Sequence, residues 1–208
     1  MRENGVPERI CLGGSFNPIH HGHLLCARAA AEVVGAKTIV IFPAGTPPHK
    51  KTDPGLASAG DRLEMCRRAV AGISGFVVDG RELERSGPSY TIDTARELRK
   101  EGWDEVAWLI GADMLNTLPT WHEPEALLRE VRFVVMARPG TTFAWDSLPG
   151  EFRKLQENVV EVPQIDISST EIRRRAGAGL GIDFFCPPGV CRYIHDHRLY
   201  QTAWTPVK

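Results

Sequence analysis

Three histidines and a glycine stand together in GGSFNPIHHGHLL (13–25), directly after the apolar run RICLGG (9–14). An imidazole can donate a hydrogen bond to a phosphate oxygen in either its neutral or its charged form. Gly13 and Gly14 let backbone approach a ligand, because they lack a side chain and tolerate positive φ. Gly22 opens a helix-forming stretch, so its first amides and positive dipole end would face the same space. The combination predicts an anion site in which His20 and His23 donate to a phosphate, with His21 solvated between them. The spacing is neither G-x-G-x-x-G nor G-x-x-x-x-G-K-S/T, so a hydride-transferring dinucleotide site and a P-loop are not expected.

A second group lies near the other end, in ISSTEIRRR (167–175). Ser168, Ser169 or Thr170 can cap a helix there, and Arg173 can reach phosphate oxygens with a bidentate fork. Arg174 and Arg175 read as bystanders. PPHKK (47–51) places His49 and Lys50 on a loop stiffened by two prolines, with Lys50 as a mobile point charge and Lys51 solvated. Cys186, Cys191, His195 and His197 could surround zinc, but the spacings are loose and packing thiols are expected instead. No Ser–His–Asp set and no cysteine nucleophile is evident.

These residues need strands and helices to hold them. Apolar runs at 9–14, 38–45, 75–80, 105–113, 132–140 and 159–163 read as strands. Helical periodicity covers 22–34, 61–73, 89–102, 168–177 and 187–197, with Ser89 or Thr91 as a cap and Gly102 as a stop. Strands alternating with helices predict an α/β fold. It is read as a doubly wound, Rossmann-like, mostly parallel sheet with helices on both faces. One domain spanning 1–208 is expected, the C-terminal helices (about 168–200) packing on it. Ligands of such sheets sit beyond the carboxyl ends of the strands, where the motifs above fall.

Taken together, GGSFNPIHHGH, PPHK (47–50), PSYT (88–91), GAD (111–113), TWHEPEALL (120–128), ARPG (137–140) and ISSTEIR (167–173) resemble the bacterial nicotinate-nucleotide adenylyltransferase family of the nucleotidylyltransferase superfamily. Ser15 and Asn17 stand where that family often has Thr and Asp. The segment 141–158 and the tail 202–208 match nothing in it. The resemblance implies transfer of the adenylyl group of ATP to nicotinate mononucleotide, with Mg²⁺ held mainly by the ATP phosphates. It implies His20, His23 and Arg173 as catalytic residues. Gly13, Gly14, Ser15, Phe16, Ser168, Ser169 and Thr170 would join them around ATP. On the mononucleotide side it implies His49, Lys50, Tyr90, Thr91, Gly111, Asp113, Trp121 and His122. Trp121 would stack on the pyridine ring, amides near Thr91 would meet its carboxylate, and Asp113 would bond a ribose hydroxyl or cap the next turn.

Composition bounds the rest. With 25 basic and 26 acidic side chains the net charge is −1, which argues against coating nucleic acid or an anionic membrane. The start MRENGVPERI lacks the features of an export signal, and no apolar run approaches the roughly 20 residues of a spanning helix. Five scattered cysteines then read as reduced thiols of a cytoplasmic protein. The expected partners are small molecules, and a homo-oligomer is compatible with the sequence.

Overall fold

The computed structural model describes residues 6–48 and 55–201. Six strands form one sheet: β1 (Arg9–Gly14), β2 (Thr38–Pro43), β3 (Phe76–Val78), β4 (Ala107–Gly111), β5 (Arg132–Ala137) and β6 (Val159–Glu161). Their order is β3-β2-β1-β4-β5-β6. The pairs β1–β4, β4–β5 and β5–β6 are parallel, with Leu12 opposite Leu109, Leu109 opposite Val134 and Met136 opposite Val160. Ile10 to Leu12, Ile39 to Phe42 and Ala107 to Ile110 are buried without alternation, as expected of a parallel sheet covered on both faces.

The helices are α1 (His21–Val34), α2 (Ala59–Val70), α3 (Thr91–Lys100), α4 (Pro124–Glu130), α5 (Ser169–Gly177) and α6 (Pro188–Asp196). From β1 the chain winds outward through β2 to β3, then returns to β4 beside β1 and winds the other way. Right-handed crossovers in opposite directions place helices on both faces, which makes the sheet doubly wound. The order reverses between β1 and β4, the type of place where open α/β sheets hold ligands.

The strands and helices anticipated from periodicity are present, several of them shorter. Helix α4 was not anticipated, because seven residues carry too little periodicity to read; Pro124 starts it. The segment without motif resemblance forms two 3₁₀ turns, Trp145–Ser147 and Phe152–Asn158, that bury Leu148, Phe152 and Leu155.

The chain divides into two compact units. One comprises Met1–Gly13, Leu25–Val40 and Tyr90–Gln164. Its core gathers Trp108, Leu109, Phe133, Ile92, Leu98 and Leu118, and α3 packs on α4. The other comprises Gly14–Leu24, Ile41–Ser89 and Ile165–Lys208. There α2 packs on β3 and α6, around Met65, Cys66, Ala69, Val190 and Ile194. Tyr193 of α6 donates to Asp61 of α2 at 2.9 Å. Among the described residues no helix is long and apolar enough to cross a membrane.

Candidate active site

The imidazoles and the guanidinium singled out above all fall in the second unit, and hydrogen bonds tie them to one loop. His20 and His23 stack with ring centroids 3.7 Å apart and an interplanar angle of 26°. The His20 amide donates to Nδ1 of His23 at 3.2 Å. That bond requires an unprotonated Nδ1, so Nε2 is the donor nitrogen of His23. His20 is buried, and its Nδ1 has no hydrogen-bond partner. Burial first, and the neighbouring His21 second, pull its pKa down to about 4. His20 is therefore a neutral imidazole at physiological pH. Gly22 allows the stack, since a Cβ there would lie 3.0 Å from the His20 ring.

From α5, Arg173 donates to the Asn17 carbonyl at 2.9 Å, and the Ser169 hydroxyl donates to the Pro18 carbonyl at 2.9 Å. The two ends of the motif set, more than 150 residues apart, thus meet on the stretch that leads into His20. Ser168 is the cap, accepting from the Glu171 amide at 3.1 Å. Of the three candidate caps Ser168 is the one that caps; Ser169 turns its hydroxyl to Pro18 and Thr170 is exposed.

The start of α1 also differs from the reading of its amides as open. The His21 amide donates to the Phe185 carbonyl at 3.1 Å and the His23 amide to the His20 carbonyl at 3.0 Å. The glycines before it serve packing. A Cβ on Gly13 would fall 2.6 Å from the Trp108 ring, and one on Gly14 would fall 3.0 Å from the Phe16 ring. Phe16 itself sits at φ 44°, an unusual conformation for a residue with a side chain. Its buried ring meets His23 edge-on at 5.2 Å.

Asn17 is a hub that sequence reading treated only as a departure from family usage. Its amide NH₂ donates to the Gly55 carbonyl at 2.8 Å, and its oxygen accepts from the Ala57 amide at 3.0 Å and from the Tyr200 hydroxyl at 2.9 Å. A carboxylate could accept the last two bonds but could not donate the first. His49 and Lys50 lie outside the described residues.

The first unit holds the other candidates. Tyr90 precedes α3 and no side chain caps that helix. The expectation that Ser89 or Thr91 caps it is corrected. Ser89 Oγ accepts from the amides of Gly45 at 2.9 Å and Thr46 at 3.3 Å, within the second unit. Thr91 is the first helical residue, where an uncapped end favours an anion. The Tyr90 and His122 rings stack at 4.1 Å. Trp121 is half-buried and edge-on to Phe133 at 6.4 Å, with its buried Nε1 unpartnered. Behind this group Arg96 bonds Glu123 at 2.7 Å and Glu130 at 3.1 Å, fixing the chain after His122 and α4 to α3. Asp113 is exposed in the 3₁₀ turn Ala112–Met114 that follows β4, and its carboxylate folds over Gly111.

The Cys–His group is not assembled for a metal. The Cys191 thiol donates to the carbonyls of Cys186 at 3.4 Å and Ile182 at 3.5 Å. His195 is exposed beside Asp196, and His197 lies over Tyr193 at 4.1 Å. Among the described residues no three His, Cys, Asp or Glu side chains are grouped to hold a metal ion.

Comparison with known proteins bears on the family of the chain. The family described as Cytidylyltransferase-like matches residues 11–175. A Synechococcus protein (strain JA-2-3B'a(2-13)) named "Probable nicotinate-nucleotide adenylyltransferase" is 41% identical over 192 residues, covering 91% of this chain and 95% of its own length. The chain belongs to the nicotinate-nucleotide adenylyltransferase family. A second member, from Symbiobacterium thermophilum, is 39% identical over 199 residues, covering 91% of this chain and 93% of its own length. Among solved structures, Plasmodium falciparum nicotinic acid mononucleotide adenylyltransferase complexed with APC superposes with a TM-score of 0.69. That match has 20% identity and covers 93% of this chain and 98% of that one. At that identity the likeness speaks for the fold of this family, while the curated relatives carry the membership.

Proposed function

We propose that this chain transfers the adenylyl group of ATP to nicotinate mononucleotide, giving deamido-NAD and pyrophosphate in NAD biosynthesis. The observation that carries this reading is the joining of Arg173, Ser169 and the stacked His20–His23 pair around one loop, in a chain of this family. An oxygen of the mononucleotide phosphate attacks the α-phosphorus of ATP in line. A new P–O bond forms as the bond from Pα to the bridging oxygen breaks, and pyrophosphate leaves with that electron pair. No covalent enzyme intermediate is needed. The protein's share is alignment and stabilisation of negative charge.

In this mechanism His23 donates from Nε2 to a phosphate oxygen, its ring held by the His20 amide and the Phe16 edge. His20 acts as a neutral donor or acceptor through its unpartnered Nδ1. Arg173 supplies a guanidinium to the β- and γ-phosphates, and the amides after Ser168 add the positive end of α5. Mg²⁺ enters with the ATP phosphates as part of the substrate; the chain groups no carboxylate cage for it among the described residues. Trp121 gives the pyridine ring a face and a donor, and the uncapped start of α3 suits the nicotinate carboxylate. His49 and Lys50 are assigned to the phosphates on the motif PPHK. A reducing cytoplasm suits five free cysteines.

The test incubates the protein with ATP, Mg²⁺ and a panel of phosphorylated acceptors and measures pyrophosphate. The expected result is release with nicotinate mononucleotide and a lower kcat/KM with nicotinamide mononucleotide. Equal kcat/KM for the two pyridines would remove the assigned preference, and binding of ATP without pyrophosphate from any acceptor would remove catalysis.

A further inference from the structure

Arg62 is the largest fully buried side chain among the described residues, 1% exposed, and no motif names it. Among the described residues its guanidinium makes four hydrogen bonds, all to backbone carbonyls and none to a carboxylate. Nε donates to Ala57 at 3.1 Å; Nη1 donates to Ser15 at 2.8 Å and Ala44 at 2.6 Å; Nη2 donates to Gly45 at 2.9 Å. Among the described residues, the ionisable groups that act on its charge are Cys66 and Tyr200. Burial pushes both pKa values up, so both are neutral at physiological pH. A buried cation with only carbonyl dipoles around it is costly unless the geometry it imposes, or an anion it faces, offsets the desolvation.

The geometry it imposes leads to His23. Holding the Ser15 carbonyl toward the guanidinium turns the amide of the same trans peptide, that of Phe16, the opposite way. Phe16 is the residue held at φ 44°, in a region that persists only where surroundings over-determine it. Its ring is the edge against which His23 rests. Arg173 grips the Asn17 carbonyl of the same loop from α5. The loop is therefore held by two guanidiniums. Arg173 is only half-buried and can reach a ligand, while Arg62 is sealed inside.

We propose that Arg62 is a positioning residue for adenylyl transfer: by fixing the Ser15–Phe16 peptide it orients the Phe16 amide and the His23 ring toward the phosphates of ATP. This rests on the adenylyltransferase reading. It predicts an effect on ATP and on kcat that spares the mononucleotide.

The experiment measures kcat, both KM values and the ATP dissociation constant by calorimetry for the wild type, Arg62→Lys and Arg62→Met, with circular dichroism as the check of folding. Lysine keeps the charge but cannot span carbonyls from three segments. The expected result for Arg62→Lys is a folded protein whose kcat falls about 10²-fold, the scale of an ångström-level misplacement. Its ATP affinity should weaken and its mononucleotide KM should stay unchanged. Arg62→Met should show the same split, enlarged. Equal losses for both substrates, wild-type kcat in a folded variant, or failure of both variants to fold would each overturn the proposal in favour of a purely structural role. If the wild type releases no pyrophosphate, adenylyl transfer is rejected on that ground alone. The ATP titrations of the folded variants then still decide whether Arg62 shapes the phosphate loop.

Discussion

The two candidate clusters handle polar groups in different ways. Around His20, His23 and Arg173, the side chains that hold the loop bond mainly to backbone. Arg62, Arg173 and Ser169 donate to carbonyls, Asn17 bridges Gly55 and Ala57, and the His20 amide holds His23. Behind Trp121 and Thr91, Arg96 bonds the carboxylates of Glu123 and Glu130 near the surface. The candidate contacts of that cluster are aromatic faces and a bare helix end. The difference follows from the chemistry assigned to each. Charge that develops on phosphate oxygens during reaction is stabilised best by donors already in place, which requires fixed loops. A pyridine ring needs a flat face and an anion-friendly terminus, both of which tolerate partial exposure.

The largest expected effect falls on the phosphate side. His23→Ala should lower kcat by about 10²–10³-fold, the scale for one lost transition-state donor, with the fold retained. Steady-state kinetics and circular dichroism check this, and a variant that turns over normally would erase the contrast between the clusters.

Next in size is the pH dependence of stability. His20 titrates near 6.5 when unfolded and at about 4 when folded. Between those values the unfolded chain binds the extra proton, so stability falls as pH drops from about 6.5 toward 4. The loss approaches about 3 kcal/mol at the acid end. Above pH 6.5 this contribution is constant. Denaturant titrations at several pH values should show the slope in the wild type and a flatter one in His20→Asn. The same slope in both would remove the neutral buried imidazole.

The smallest effect belongs to the pyridine side. Trp121→Ala should raise the KM for the mononucleotide about tenfold, the scale of a lost aromatic contact, and leave that for ATP nearly unchanged. The opposite ordering would move the pyridine ring elsewhere.

Much of the local structure around the candidate site could be read from residue types in order. The strand–glycine–histidine–helix junction, the Ser168 cap and the start of α3 are local features, set by neighbours a few positions apart. Arg62 left a faint trace as well. It stands with Met65, Cys66 and Ala69 on one face of α2, a charge in an otherwise apolar stripe, and those four residues are all buried. Nothing local shows which carbonyls such a charge would meet. Why Ser168 rather than Ser169 caps α5, and why Ser89 does not cap α3, was hidden for a related reason. A hydroxyl beside a helix start looks like a cap until a distant partner, Pro18 for one and the amides of Gly45 and Thr46 for the other, competes for it.

The sequence by itself determined the alternation of strands and helices, and with it the doubly wound sheet and the family. Hydrophobic period and motif spacing are properties of the chain that survive without knowing any long-range contact. Tertiary structure alone decided that His20 is neutral, that Phe16 holds a left-handed conformation, and that Arg62 sits sealed among carbonyls. Each of those depends on burial and on partners far away in the chain, and dielectric environment is set by what packs around a group rather than by what precedes it.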